Sequence, residues 1–85
     1  RTKPLPARVA GVVAADRVVS WQPNPEKDVR GYAIYKKGFL GVAQKLADVK
    51  ETRWRNDDRG KVELYITAVD GSGLESEPSE TVTFE

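Results

Sequence analysis

The 85-residue sequence predicts an all-β domain, a sandwich of two antiparallel sheets. Three observations predict it. Apolar residues recur at every second position within short stretches. Turn-forming Gly, Pro, Asn and Asp separate these stretches at intervals of about eight to twelve residues, and no segment has a convincing helical period. The pattern gives about seven short strands, and this regular spacing is typical of a β-sandwich.

The first part of the chain predicts a linker and two strands. Residues 1–5 combine polar side chains with proline, so we expect an extended linker and a domain spanning residues 6–85. The stretch ARVAGVVA predicts the first strand, with a bend or bulge at Gly11. The stretch DRVVSW predicts the second, with Val19 and Trp21 on one face. The two prolines of QPNPEKD then end this strand in a loop.

The middle of the chain predicts two further strands. In VRGYAIYKK, Tyr32 and Ile34 share one face and Ala33 and Tyr35 the other. The glycines of GFLG break this strand, and AQKLADV resumes extended structure. Residues 42–49 also carry apolar side chains at a helical spacing, so a short helix is an alternative. The predicted strands on both sides favour a strand here.

The last part of the chain contains the strongest strand signal. ETRWRN predicts a fifth strand that carries Trp54, and DDRG predicts a turn. In KVELYITAVD, apolar Leu64, Ile66 and Ala68 alternate with Glu63 and with other outward positions, which is the two-residue period of a half-buried strand. GSG predicts another turn, and ETVTF predicts the seventh strand.

The composition limits the chemistry available to the chain. There is no cysteine for a disulfide or a thiolate metal site, and no histidine, the commonest general base. The formal net charge of +1 lacks the basic excess of a nucleic-acid-binding domain. No stretch approaches the roughly 20 apolar residues of a membrane span. We therefore expect no enzyme, no cofactor, no metal, no nucleic-acid partner and no membrane insertion by this segment.

From Pro6 to Phe84 the sequence resembles a fibronectin type III domain, in the style of its bacterial members. The resemblance rests on Val19-x-Trp21, on GYAIY, on LYITAVD and on GLESEPS, taken in this order and spacing. It implies an immunoglobulin-like sandwich in which the first, second and fifth strands face the third, fourth, sixth and seventh. It also places Trp21 between the sheets. The core that it implies consists of Val19, Trp21, Tyr32, Ile34, Leu64, Ile66 and Ala68.

One position departs from this family pattern. The family usually has a tyrosine early in the sixth strand, and its hydroxyl bonds back to the preceding loop. Here that position is Val62, and it follows NDDRG. We therefore expect the corner between the fifth and sixth strands to be held in another way.

Gly71 and Gly73 admit a functional and a structural interpretation. A phosphate-binding loop requires a following helix and a further glycine or lysine at a fixed offset, and LESEPS provides neither. A calcium loop requires glycine at its sixth position, where this chain has Glu75, and a carboxylate at its twelfth. We therefore predict a hairpin turn in which glycine supplies a positive φ.

Asp57 and Asp58 are adjacent carboxylates, but adjacent turn residues point apart. A glycosidase needs two carboxylates that face one cleft. We therefore interpret the pair as Asx-type caps of a turn.

Two features are candidates for a contact surface. Tyr35, Tyr65, Thr67 and Lys37 are expected together on the outward face of the third and sixth strands. Such side chains also stabilise an exposed sheet without binding anything. Phe39 and Leu40 are expected at a loop tip, where they either contact a partner or fold back onto the sheet edge.

Charge is distributed unevenly along the chain. Residues 1–44 contain eight basic and three acidic side chains, a balance of +5, whereas residues 45–85 contain six basic and ten acidic, a balance of −4. From Asp70 onward every charge is negative, and we interpret this stretch as a solvated edge strand protected by charge against aggregation. Head-to-tail attraction between neighbouring domains is the alternative.

These patterns and the resemblance favour a non-catalytic module. The chain begins at Arg1 and contains no methionine, so we expect a segment of a longer protein. The resemblance implies a spacer or protein-interaction domain of an exported or surface bacterial protein, with an extracellular, cell-surface or periplasmic location. The alternative is a module that binds a carbohydrate or a protein through the outward face and the loop at 38–41. We expect a monomer whose partners are the neighbouring domains of the parent chain, and possible further partners are another protein or a polysaccharide.

Overall fold

The structure is a computed structural model that describes residues 4–85. Its seven strands form two antiparallel sheets packed as a sandwich, which confirms the predicted fold class. Residues 1–3 of the predicted linker lie outside the described residues. The three-stranded sheet has the order β1 (Val13–Ala15), β2 (Val18–Ser20), β5 (Arg53–Arg55), and the four-stranded sheet has the order β4 (Ala43–Val49), β3 (Val29–Lys37), β6 (Val62–Asp70), β7 (Val82–Phe84).

The strand boundaries follow the sequence pattern except at the start of the chain. The segment at 42–49 is the strand β4, so the helical alternative is wrong. The first strand begins later than ARVAGVVA predicts, because Gly11 has a φ of 69° and interrupts the ladder. Ala10 still accepts a hydrogen bond from the backbone N–H of Gln22 at 3.0 Å, so the chain before Gly11 follows the sheet. Strands from both halves of the sequence contribute to both sheets, and the basic and acidic halves therefore do not form separate layers.

The core lies between the sheets and is centred on one tryptophan. Trp21 is 4% exposed, and its ring meets that of Tyr32 edge to face with centroids 5.5 Å apart. This edge-to-face arrangement is a favoured geometry for aromatic pairs. All the residues expected in the core are buried and belong to a single cluster, which also includes Val9 and Val62.

Two serines complete the hydrogen bonding of β6 where its neighbour is not a regular strand. The hydroxyl of Ser76 accepts from the backbone N–H of Ala68, and that of Ser79 accepts from the N–H of Ile66, each at 2.9 Å. The backbone N–H groups of Ser76 and Ser79 in turn donate to the carbonyls of Ala68 and Ile66. Both serines are buried, so these hydroxyls satisfy amides that water does not reach.

We expect Ser76→Ala and Ser79→Ala each to lower the free energy of unfolding by about 1–3 kcal/mol, because each leaves a buried amide without its acceptor. Urea denaturation measures the change. Thr81→Ala is the matched control, since Thr81 is exposed in the same segment and its loss costs little. Equal effects from all three variants would contradict this role of the serines.

Asn56 and Asp58 hold the corner between β5 and β6. Asn56 is 2% exposed, and its backbone N–H donates to the carbonyl of Arg17 at 2.7 Å. Its side-chain oxygen accepts from the N–H of Asp58 at 3.2 Å, and the Asp58 carboxylate accepts from the N–H of Gly60 at 2.9 Å. The predicted Asx cap is thus present at Asp58, whose pKa the hydrogen bond from Gly60 lowers. Asp57 instead forms an exposed ion pair with Arg55 at 2.9 Å.

The two ends of the described chain lie at opposite poles of the sandwich. Near the start, the N–H of Ala7 donates to the carboxylate of Glu26 in the β2–β3 loop at 2.6 Å. At the other end, Glu85 lies beside Arg17 of the β1–β2 turn and beside Asp58. Because β2 runs from that turn to the β2–β3 loop, the two ends of the described chain lie at opposite ends of this strand. The molecule measures 43 × 27 × 17 Å along its principal axes.

Candidate interaction surface

A hydrophobic tip projects where β3 turns into β4. Phe39, Leu40 and Gly41 form one turn of 3₁₀ helix, and Phe39 and Leu40 are 86% and 85% exposed. Val42 follows and is also exposed. We call Phe39, Leu40 and Val42 the apolar tip. Of the two arrangements expected for this loop, the structure has the one in which the side chains project instead of folding back onto the sheet.

Hydrogen bonds hold the tip in a defined conformation. The N–H of Gly38 donates to the carbonyl of Val42 at 2.7 Å, and the N–H of Val42 donates to that of Phe39 at 3.3 Å. Leu40 has a φ of 59°, in the left-handed region that costs a non-glycine residue free energy. A side chain at Gly38 would place its Cβ 2.5 Å from the Val42 carbonyl oxygen, so only glycine fits there.

A tyrosine pair lies on the outward face of the four-stranded sheet. Tyr35 of β3 is opposite Tyr65 of β6, and the rings stack with centroids 5.1 Å apart and planes 16° apart. The hydroxyl of Tyr35 donates to Glu75 Oε1 at 2.7 Å. The hydroxyl of Thr67 donates to the same oxygen at 2.8 Å. The Glu75 carboxylate therefore accepts hydrogen bonds from Tyr35 of β3 and from Thr67 of β6, and it links the segment after β6 to the tyrosine pair.

The expectation that Thr67 is an exposed contact residue is wrong. Thr67 is 4% exposed, because the hydrogen-bonded side chain of Glu75 lies against it. Tyr35 and Tyr65 are half-buried. Lys37 is exposed at the end of β3, directly before Gly38. It therefore lies between the tyrosine pair and the apolar tip along the chain. Glu75 and Val42 are members of this surface that the sequence did not indicate.

Burial, followed by the hydrogen bond to the Glu75 carboxylate, raises the pKa of Tyr35 from 10.0 to about 12. A raised pKa in the folded state means that the unfolded chain loses this proton first as the pH rises. The stability linked to Tyr35 is thus complete below pH 10 and is lost as the pH approaches about 12.

We therefore expect unfolding midpoints in urea to fall more steeply for the native chain than for Tyr35→Phe between about pH 9 and about pH 11. The Tyr35→Phe chain controls for the titration of lysines and of the other tyrosines. Parallel pH profiles for the two chains would contradict the assignment.

The glycine-containing loop after β6 is a hairpin turn, as predicted. Asp70 Oδ1 accepts from the backbone N–H of Ser72 at 2.9 Å and of Leu74 at 3.0 Å. Gly73 supplies the positive φ, 85°, and Val69 bridges to Glu75 beyond the turn. The Asp70 carboxylate therefore has a structural role as the cap of this turn.

The described surface offers little concavity at the sheet face. The depression around Gly31, lined by Tyr32, Val49 and Val69, has a volume of about 220 Å³, and a larger one beside β5, lined by Lys36, Trp54 and Asp58, has about 330 Å³. Ligand pockets usually begin at roughly 300 Å³, so the depression on the sheet face is below that size and the one beside β5 is at its lower limit. Within residues 4–85, no cluster of acidic side chains is arranged to hold a metal ion, and no helix has the length and apolar character needed to cross a membrane.

The geometry defines a two-sheet module with three strands against four, and solved structures share it. The chain superposes on the twitchin kinase region from C. elegans (Fn31-NL-kin-CRD-Ig26) with a TM-score of 0.72 and 23% identity, covering 93% of this chain and 16% of that one. A Fn3-like protein from Clostridium thermocellum matches with a TM-score of 0.67 and 16% identity, covering 96% of this chain and 91% of that one. The structure of "FN3tt mut" matches with a TM-score of 0.52 and 20% identity over 89% of this chain and 82% of that one.

The chain therefore has the fibronectin type III fold, as the sequence resemblance implied. No family model matches the sequence, and the search of curated proteins finds no significant match. The chain spans about a sixth of the twitchin region, for which the coverage is 16%, and nearly the whole of the Clostridium thermocellum protein.

Proposed function

We propose that this chain is a non-catalytic spacer and protein-interaction module of a larger, exported bacterial protein. One observation carries the proposal: the two ends of the described chain lie at opposite ends of the sandwich, one beside the β2–β3 loop and the other beside the β1–β2 turn. A module built in this way sets the distance between whatever is joined to its two ends. The hydrogen bonds of Ala7 and the β7 ladder fix both ends to the sandwich.

A distance measurement between the poles tests the spacer role. Because the chain contains no cysteine, Ala7→Cys combined with Glu85→Cys accepts spin labels at these two positions only. Pulsed electron–electron double resonance on the doubly labelled chain, diluted with unlabelled chain to suppress distances between copies, should give one narrow distance distribution. A broad or bimodal distribution would contradict the proposal. The precursor sequence tests the exported context, and we expect it to contain an export signal and flanking domains.

A second candidate function is direct binding of a carbohydrate or a protein by the tyrosine face and the apolar tip. The exposure of Phe39 and Leu40, 86% and 85%, favours it, because a tip with a defined backbone presents both side chains to a partner. NMR titration with a panel of polysaccharides distinguishes the two functions. Shifts confined to residues 35–42 and to Tyr65 support binding, and an unperturbed spectrum across the panel removes the carbohydrate form of this candidate.

A further inference from the structure

The outer edge of β4 is an open strand edge with an alternation of charge. Among the strands of residues 4–85, β4 pairs with β3 alone, on one side. It is seven residues long, four of them exposed, and no strand of residues 4–85 pairs with its other side. Such an edge pairs readily with another strand unless charges or bulges prevent it.

A β-bulge places two opposite charges on the same face of this edge. Ile34 is opposite Ala47, but Tyr35 is opposite Lys45, so Leu46 is the extra residue. In a regular strand, residues three apart point to opposite faces. The bulge instead brings Lys45 and Asp48 to the outward face, where Lys45 Nζ lies 3.3 Å from Asp48 Oδ1.

We propose that two copies of this chain associate through β4, with the strands antiparallel around a two-fold axis between Leu46 and Ala47. In this register Lys45 of each copy is opposite Asp48 of the other, on one face of the continuous sheet. The charge pattern is therefore complementary to itself, as an isologous interface requires. On a single chain, Lys45 would discourage pairing of the exposed edge. In the dimer it instead forms an attractive pair with Asp48 of the second copy, and the two-fold axis gives two such pairs.

The same register explains the position of the apolar tip. Ala43 is opposite Lys50 of the second copy, so the apolar tip of each copy lies beside the end of the other copy's β4. Exposed apolar side chains at the start of β4 thus gain cover from the second copy. The interface consists of one edge strand and the apolar tip of each copy. Because it is small, we expect weak, transient association. The proposed dimer goes beyond the spacer function, and it is an alternative to the monomer that the sequence led us to expect.

Charge reversal tests the register directly. Sedimentation velocity from micromolar to millimolar concentration should show a monomer–dimer equilibrium for the native chain. Lys45→Glu and Asp48→Lys should each weaken association about tenfold, because each variant creates two like-charged pairs across the axis. An equimolar mixture of the two variants should associate again, since the two carboxylates on β4 of one chain then face the two lysines on β4 of the other. The double reversal Lys45→Asp/Asp48→Lys should also associate with itself.

Controls separate this contact from general electrostatics and from misfolding. Asp57→Lys makes the same change of charge outside β4, at an exposed ion pair, and should leave association unchanged. Far-UV circular dichroism and melting curves verify that each variant is folded. A second, charge-neutral variant, Phe39→Ser/Leu40→Ser, should weaken association. A native chain that stays monomeric throughout, or an equal effect of Asp57→Lys, would overturn the proposal.

Discussion

Trp21→Ala is expected to lower the free energy of unfolding by about 3–5 kcal/mol, the usual cost of truncating a buried aromatic side chain. A domain of this size has a total stability of roughly 4–13 kcal/mol, so the variant will be marginally folded. The reason is local. Trp21 is 4% exposed, fills the space between the sheets and makes the edge-to-face contact with Tyr32.

Two further variants separate loss of volume from loss of an aromatic contact. Trp21→Phe keeps a ring against Tyr32 and removes an indole N–H that is buried without a hydrogen-bond partner within residues 4–85, so its cost should be well below that of Trp21→Ala. Trp54→Ala removes a half-buried ring from the edge strand β5 and should have an intermediate effect. Urea denaturation followed by far-UV circular dichroism ranks the three. If Trp21→Ala costs no more than Trp54→Ala, the two sheets are not packed around Trp21.

Asn56→Ala is expected to cost about 1–3 kcal/mol, because it removes a buried amide that both accepts from and donates to the backbone of Asp58. These contacts occupy the corner where the resemblance implied a tyrosine and the chain has Val62. Val62 is itself 2% exposed and packs in the core, so it does not substitute for the missing hydroxyl. Loss of the amide therefore loosens the turn that begins β6.

Asp57→Ala is the matched control for this corner. Asp57 is adjacent to Asn56 in sequence, but its carboxylate forms an exposed ion pair with Arg55, and such pairs contribute little. Thermal unfolding of both variants by calorimetry gives the comparison. Similar stability of the two variants would show that Asn56 does not hold the corner.

The strands and the core were predictable because they follow from local rules. Alternation along KVELYITAVD assigns Leu64, Ile66 and Ala68 to one face, and this assignment does not depend on which strand is the neighbour. The prolines after Trp21 prevent the strand from continuing, because proline has a fixed φ and no backbone N–H. The same alternation failed at Thr67. The rule gives the face of a side chain, whereas the burial of Thr67 comes from Glu75, eight residues away along the chain.

The interaction surface depends on contacts between distant segments, so the sequence revealed less of it. Phe39 and Leu40 were predicted as a tip from the flanking glycines. Their full exposure and the positive φ of Leu40 depend on how β3 and β4 meet. The bulge at Leu46, which puts Lys45 and Asp48 on one face, has no signal in the sequence, because it is a property of the pairing register.

Fluorescence of a chain with Trp21 as its sole tryptophan tests most directly whether two sheets enclose that side chain. Trp54→Phe leaves Trp21 alone, since the sequence contains two tryptophans. We predict blue-shifted emission and an acrylamide quenching constant several-fold lower in buffer than in urea. Emission near that of free indole, with quenching as strong in buffer as in urea, would contradict the sandwich on which the spacer function and the β4 edge both depend.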